Sequence, residues 1–221
     1  ITAENYLSVV SRTLWENLPQ VIGSGLLFSV AATPAFITFS LGLLAPSVLL
    51  AVITVAPAWC ALVAIDGAIL RDEVVSLRQW ITSFWRHGHT AAVLSMVLAF
   101  PTLVLLQLLP LLQRDQVPAV LWLAIGLNLF VIALALALLL YAFALLPDGH
   151  DSFDQLLRQA WTLAARYPFN TVGLLAMALL MLFAVAYLSL GLLLLLPAVY
   201  ALFVATNYQL VQTPRNAARK V

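Results

Sequence analysis

Residues 119–146 run without one charged side chain, and that stretch constrains the fold more than any other feature of the chain. An α-helix rises about 1.5 Å per residue and the hydrocarbon core of a bilayer is about 30 Å thick, so about 20 apolar residues make one crossing. A helix is also the open-ended form that satisfies its own backbone polar groups in lipid. Segments 18–44, 46–70 and 90–112 reach the same length. The stretch 169–208 is about twice as long as a crossing needs and is expected to fold back once, near 189–191. The expected fold class is therefore all-α: a polytopic membrane bundle of about six transmembrane helices, forming one membrane domain over 1–221.

Composition agrees. Hydrophobic residues make up 64% of the chain and charged residues 9%, whereas a soluble domain carries roughly 25% charged residues. The formal net charge of +1 leaves no basic patch for nucleic acid. Cys60 is the single cysteine, which excludes an intramolecular disulfide and a multi-cysteine metal site, and its apolar neighbours mark it as a buried small hydrophobe. The chain starts at Ile1, and Glu4 and Arg12 do not suit a signal peptide, so the start is read as mature sequence.

Charge placement gives an orientation. Arg12, Arg71, Arg78, Arg86, Arg158, Arg166, Arg215, Arg219 and Lys220 fall at one face of the expected bundle and Arg114 at the other. Positive loops are retained in the cytoplasm, so the basic face is expected to be the inner one, with both termini cytoplasmic, in a bacterial inner membrane. Trp15, Trp80, Trp85 and Trp161 cluster at that face and Trp122 near the opposite one, as amphipathic rings do among headgroups.

The segments before the third and fifth spans are amphipathic. Val74, Leu77, Trp80, Ile81, Phe84 and Trp85 recur at helical spacing opposite Gln79, Thr82, Ser83 and Arg86. In the later segment Phe153, Leu156, Leu157, Ala160, Trp161 and Ala164 lie opposite Asp154, Arg158, Thr162 and Arg166. The first segment, 6–17, repeats the pattern more faintly through Tyr6, Val10 and Leu14. Each is expected to lie in the inner interface with its arginines among anionic headgroups. An amphipathic helix followed by a membrane hairpin thus recurs over 1–70, 71–147 and 148–212. Two readings stand, a parallel three-fold repeat or the common composition of membrane helices.

Reaction chemistry is not visible. Asp66 is the deepest ionisable group, and its closeness to Arg71, Asp72 and Glu73 suggests a capping or ion-pair role at the interface rather than a coupling site. His87, His89 and His150 all fall on the inner side, which leaves no histidine at haem-ligating depth. No phosphate-binding glycine loop, zinc-protease helix or activated nucleophile is present, so no cofactor and no metal are expected. Gly25, Ser29 and Thr33 recur every four residues, a spacing that suits close helix packing better than a substrate path. Asn128, Gln107 and Asn170 are expected to hydrogen-bond across helices, and Pro34, Pro57, Pro101 and Pro197 to kink theirs.

The run from Pro-Ala-Trp-Cys-Ala-Leu at Pro57 through Asp-Gly-Ala-Ile-Leu-Arg-Asp-Glu at Asp66 to Trp-Ile-Thr-Ser-Phe-Trp-Arg-His at Trp80 resembles the YesL-like bacterial membrane proteins of the DUF624 type. Those pair a proline-bearing second helix with a charged loop and an aromatic amphipathic helix. Trp80-Ile81 stands where an aromatic pair is usual, and His87 where an asparagine is. The resemblance implies six helices and, for some members, an association with carbohydrate uptake; it carries no catalytic or ligand residue. The expected role is a non-enzymatic accessory or interaction subunit. Its partners are the bilayer and a membrane or cytoplasmic protein or a second copy, engaged through Arg78, Trp80, Trp85, Arg86, Arg158, Trp161 and Arg166. A small-solute transporter or channel component is the alternative. A lipid-acting enzyme would have only His87, His89 and Asp72 to use.

Overall fold

A computed structural model describes residues 6–73, 75–113, 118–149, 152–187 and 194–218, and among them no strand occurs. The chain opens with α1 (Tyr6–Glu16) and α2 (Leu18–Ser40). A tight turn follows, in which Gly42 takes φ +77°, a conformation that side chains resist. Next come α3 (Leu44–Leu50) and α4 (Ala56–Ile69), joined by one wide π turn, Ala51–Val55, into a continuous crossing. Pro57 accounts for the π turn: it has no N–H to donate and its ring crowds the carbonyl one turn back, so the preceding turn widens.

Helix α5 (Leu77–Leu108) begins at Ser76, whose side chain accepts from the Gln79 amide while Gln79 returns a bond to the Ser76 backbone. It is followed by α6 (Ala119–Leu145), α7 (Phe153–Arg166), α8 (Pro168–Tyr187) and α9 (Leu196–Ala218). The expected turn at Pro147 to Gly149 is a short 3₁₀ stretch ending in Gly149 at φ +74°.

Among the described residues five helices are long and apolar enough to cross a membrane: Leu18–Ser40, Leu44–Ile69, Leu77–Leu112, Ala119–Leu145 and Pro168–Val185. Helix α9 is not among these five but packs in the same bundle. It runs antiparallel to α8, with the Tyr200 hydroxyl donating to the Leu174 carbonyl and Asn170 donating to Asn207. It tolerates polar residues because they point inward: Thr206 is fully buried and Asn207 is 6% exposed. The turn expected near 189–191 lies outside the described residues.

The axis of the bundle is α3–α4, half of whose apolar window is buried against 11 to 28% in the other spans. Around Ala58, Cys60, Ala61 and Leu62 stand α2, α5, α6 and α9. Small residues at these positions let backbones approach, which is how helices gain van der Waals contact where lipid removes the hydrophobic drive. The outer surface is the converse: Phe169, Val120, Leu123 and Phe100 are 91, 75, 73 and 72% exposed, a surface suited to hydrocarbon.

One expectation is revised. The amphipathic segment before the third span is not a separate interfacial helix but the first turns of α5, an unbroken helix of 32 residues. At about 1.5 Å per residue it is about 48 Å long, so roughly its first dozen residues project beyond a hydrocarbon core of about 30 Å. The segment before the fifth span is separate, because Pro168 forbids the preceding residue from staying helical and Tyr167 takes φ −123°, ψ 59°. The helix-plus-hairpin unit is therefore present in the first and last thirds and fused in the middle one.

Candidate functional site at the basic end of the bundle

The polar chemistry gathers at one end, which carries α1, the turn between α4 and α5, the start of α5, and α7. Five clefts open there. Helix α1 lies across α9 and α2: Val10 is buried, and the Tyr6 hydroxyl donates to the Phe203 carbonyl at 2.8 Å with the two rings 5.8 Å apart. Burial, and then the neighbouring Tyr200 and Tyr141, push the Tyr6 phenol well above its ordinary value, so it stays a donor throughout the physiological range.

Helix α7 packs Leu156, Ala160 and Leu163 against the last turns of α6, which are buried from Leu139 to Leu146. Its other face stays uncovered. Arg158 donates to Asp154 at 3.2 Å in an exposed i,i+4 pair, Trp161 is 53% exposed, and the Arg166 guanidinium sits 5.8 Å from the Tyr167 ring centroid. An exposed pair of this kind contributes little to stability, about 0.3–0.5 kcal/mol, so the face is free to exchange partners.

The sequence-derived interaction residues divide between two elements. On α5, Arg78 and Arg86 are exposed, Trp85 is 76% exposed, and Trp80 turns inward at 7%, stacked on Phe84 at 5.5 Å. On α7, Arg158, Trp161 and Arg166 share the open face. His87 and His89 line a cleft with Ser152 and Phe153, and Asp72 is absent from its walls. His150 and Val74 lie outside the described residues.

The expected stripe on α2 also divides. A Cβ on Gly25 would fall 2.2 Å from the Leu194 carbonyl oxygen and 3.3 Å from the Ala198 Cβ, so Gly25 is where α2 meets the start of α9. Ser29 returns its hydroxyl to the Gly25 carbonyl and Thr33 to the Ser29 carbonyl, and Thr33 is exposed. Of the three amides expected to bond across helices, Asn170 pairs with Asn207. Gln107 is exposed, and the Asn128 carbonyl oxygen is buried with no partner among the described residues.

Asp66 differs most from expectation. It is fully buried, and neither carboxyl oxygen has a hydrogen-bond partner among the described residues. No capping or ion-pair role at the interface is realised, because Arg71 turns outward to Glu73 at 2.7 Å. Asp66 lies two helical turns after Trp59 and so on the same face of α4. Trp59 in turn contacts Phe28 of α2 and Tyr200 of α9, so Asp66 faces the seam between those helices, at the end that α1 covers.

The partner of Asn170, Asn207, went unread in the sequence, and so did the pair Tyr141 with Thr171 at 3.2 Å. The drop in hydropathy at Thr206-Asn207-Tyr208-Gln209, inside an otherwise apolar segment, was the available signal for the first.

This architecture, with an apolar girdle and polar groups gathered at one end, defines a multi-pass α-helical membrane protein. Comparison with known proteins adds no closer relationship: no family model matches the chain, and neither does a curated protein or a solved structure.

Proposed function

We propose that this chain is a non-enzymatic interaction subunit of a bacterial inner membrane, docking a protein partner through its basic end. The open face of α7 carries the reading. Asp154, Arg158, Trp161, Thr162 and Arg166 are all exposed at the edge of a helix whose opposite face is fixed to α6. A rigid support with an aromatic anchor and paired charges on the outside suits recognition of a partner. The tight packing of Ala58, Cys60, Ala61 and Leu62 along the bundle axis supports a scaffold over a conduit. The likeness to YesL-like proteins is compatible with service to a sugar-uptake system.

The test is mild-detergent co-purification from native membranes, comparing the wild type with Arg158→Glu/Arg166→Glu. A partner held by wild type and lost by the charge-reversed variant, with both eluting as the same folded species, is the expected result. Partner recovery unchanged by the reversal would end the reading.

A second reading, a coupled solute carrier, is favoured by Asp66. An ionisable group sealed inside a membrane bundle is costly and is generally retained for function. Asp66→Asn separates the two. Partner capture that survives this substitution supports the scaffold; proton-driven solute accumulation in proteoliposomes that Asp66→Asn abolishes replaces it with the carrier.

A further inference from the structure

The first turns of α5 carry two adjacent polar rows. Arg78, Thr82 and Arg86 follow one another at intervals of four residues, and Gln79, Ser83 and His87 form a parallel row beside them. Together they line a cleft of about 330 Å³, and no acidic side chain lines it. Three other arginines at this end are held by carboxylates, Arg12 by Glu16 and Arg71 by Glu73, each at 2.7 Å, and Arg158 by Asp154, while the Arg166 guanidinium lies by the Tyr167 ring. Among the described residues Arg78 and Arg86 have no ion pair, and both are exposed.

Ser83 adds an independent sign. Other serine and threonine hydroxyls of α5 return to their own helix, Thr82 to the Arg78 carbonyl, Ser95 to Ala92 and Thr102 to Leu98. The Ser83 hydroxyl is buried and has no partner among the described residues, although it lines the cleft. A hydroxyl beside two uncommitted guanidinium groups is a donor set for an oxyanion. Arg78 and Arg86 stand about 12 Å apart along the helix, with Thr82 and Ser83 midway.

The same helix indicates what carries the anion. Two turns above Arg86 the face continues as Val93, Val97 and Phe100, which are 43, 39 and 72% exposed. Because α5 is unbroken, a molecule lying along this face meets guanidinium groups where the helix leaves the hydrocarbon core and apolar side chains where it enters. Inorganic phosphate would use only the first part. From this continuity we propose that the Arg78–Arg86 face of α5 is a binding site for one anionic phospholipid. Its phosphodiester is held between the two arginines and the Ser83 hydroxyl, and its acyl chains run along Val93 to Phe100. The site is distinct from the α7 face and stands whether or not a protein partner docks there.

The experiment takes the whole chain in nanodiscs of phosphatidylglycerol and phosphatidylcholine in equal parts, released into a mass spectrometer to count retained lipids. Wild type is expected to keep one phosphatidylglycerol in preference to phosphatidylcholine. Arg78→Ala/Arg86→Ala is expected to lower that preference by roughly thirtyfold, at about a fifth of the affinity left per arginine. Arg12→Ala, which removes a committed arginine at the same end, leaves the preference intact. Ser83→Ala weakens it less than the double variant does. Millimolar inorganic phosphate added to the nanodiscs does not displace the lipid. Equal retention of the two lipids by wild type overturns the proposal. So does an Arg12→Ala loss as large as that of the double variant, which would mean diffuse charge attraction, and so does full displacement by inorganic phosphate, which would mean a free-anion site.

Discussion

Gly25→Ala tests the seam between α2 and the start of α9. The added methyl lies 2.2 Å from the Leu194 carbonyl oxygen, a backbone atom that cannot rotate away, and 3.3 Å from the Ala198 Cβ. Forcing one extra carbon into a closed contact costs about 1–3 kcal/mol. Against this, replacing a helical glycine by alanine gains roughly 0.5–1 kcal/mol from backbone entropy alone. Gly23, two residues earlier on α2, isolates that gain, because a Cβ there meets nothing within 4 Å. The difference between Gly25→Ala and Gly23→Ala is thus the packing cost by itself. At about 2–4 °C per kcal/mol for a chain of this size, it amounts to roughly 2–12 °C in melting temperature. Both variants and wild type are purified in one mild detergent and heated while intrinsic tryptophan fluorescence is followed. Gly23→Ala is expected to melt at or slightly above wild type and Gly25→Ala clearly below it. If the two melt together, α2 and α9 do not meet at Gly25 and the placement of α9 against α2 is wrong.

Tyr6→Phe removes the bond to the Phe203 carbonyl while keeping the ring contact; at about 0.5–1.5 kcal/mol for such a bond, amide exchange in α1 is expected to speed up roughly 2- to 13-fold with the crossing helices unaffected. Cys60 is fully buried, so a maleimide is expected to leave the folded protein unmodified and to react fully once detergent denaturation opens the bundle; rapid reaction in the native state would contradict the core assignment. In a Cys60→Ala background, cysteines at Gln155 and at Val120, both exposed, are expected to label from the cytoplasmic and the outer side respectively; labelling from the same side would refute the orientation taken from the basic residues.

The crossings were legible because a long apolar run is a property of each segment alone, and the bilayer supplies the ruler. Helix α9 qualifies less plainly, since Thr206 and Asn207 lower its hydropathy; their burial depends on α4 and α8 standing beside them, which no local pattern encodes. The fusion of the aromatic segment with α5 was readable in principle. No proline stands between Arg86 and Thr90, whereas Pro168 breaks the corresponding junction before α8. Gly88 there is not a hinge, for a Cβ on it would sit in ordinary contact with Pro57 at 3.6 Å. Asp66 was misplaced because nearness in sequence to Arg71 suggested an ion pair. The guanidinium turns to Glu73 instead, and the burial of Asp66 comes from helices distant in sequence. The basic face of α5 was visible as residues but not as a cleft, which required knowing that Arg78 and Arg86 are left unpaired.

The late place of α9 in the chain bears on how the protein is made. Helices α1 to α8 precede it in the sequence, yet α1, α2, α4, α6 and α8 all pack against it. During synthesis the face of α4 that carries Trp59 and Asp66 can be covered by Phe28 of α2 but lacks the α9 half of its cover until α9 leaves the ribosome. The Tyr6 to Phe203 bond, which closes α1 over that seam, joins residues 197 positions apart. Inserted helices that have already crossed the membrane must wait as an open set. A nascent chain halted before α9 would present an uncompensated carboxyl between loosely held helices, which is the kind of surface that membrane quality-control proteases and insertion chaperones engage.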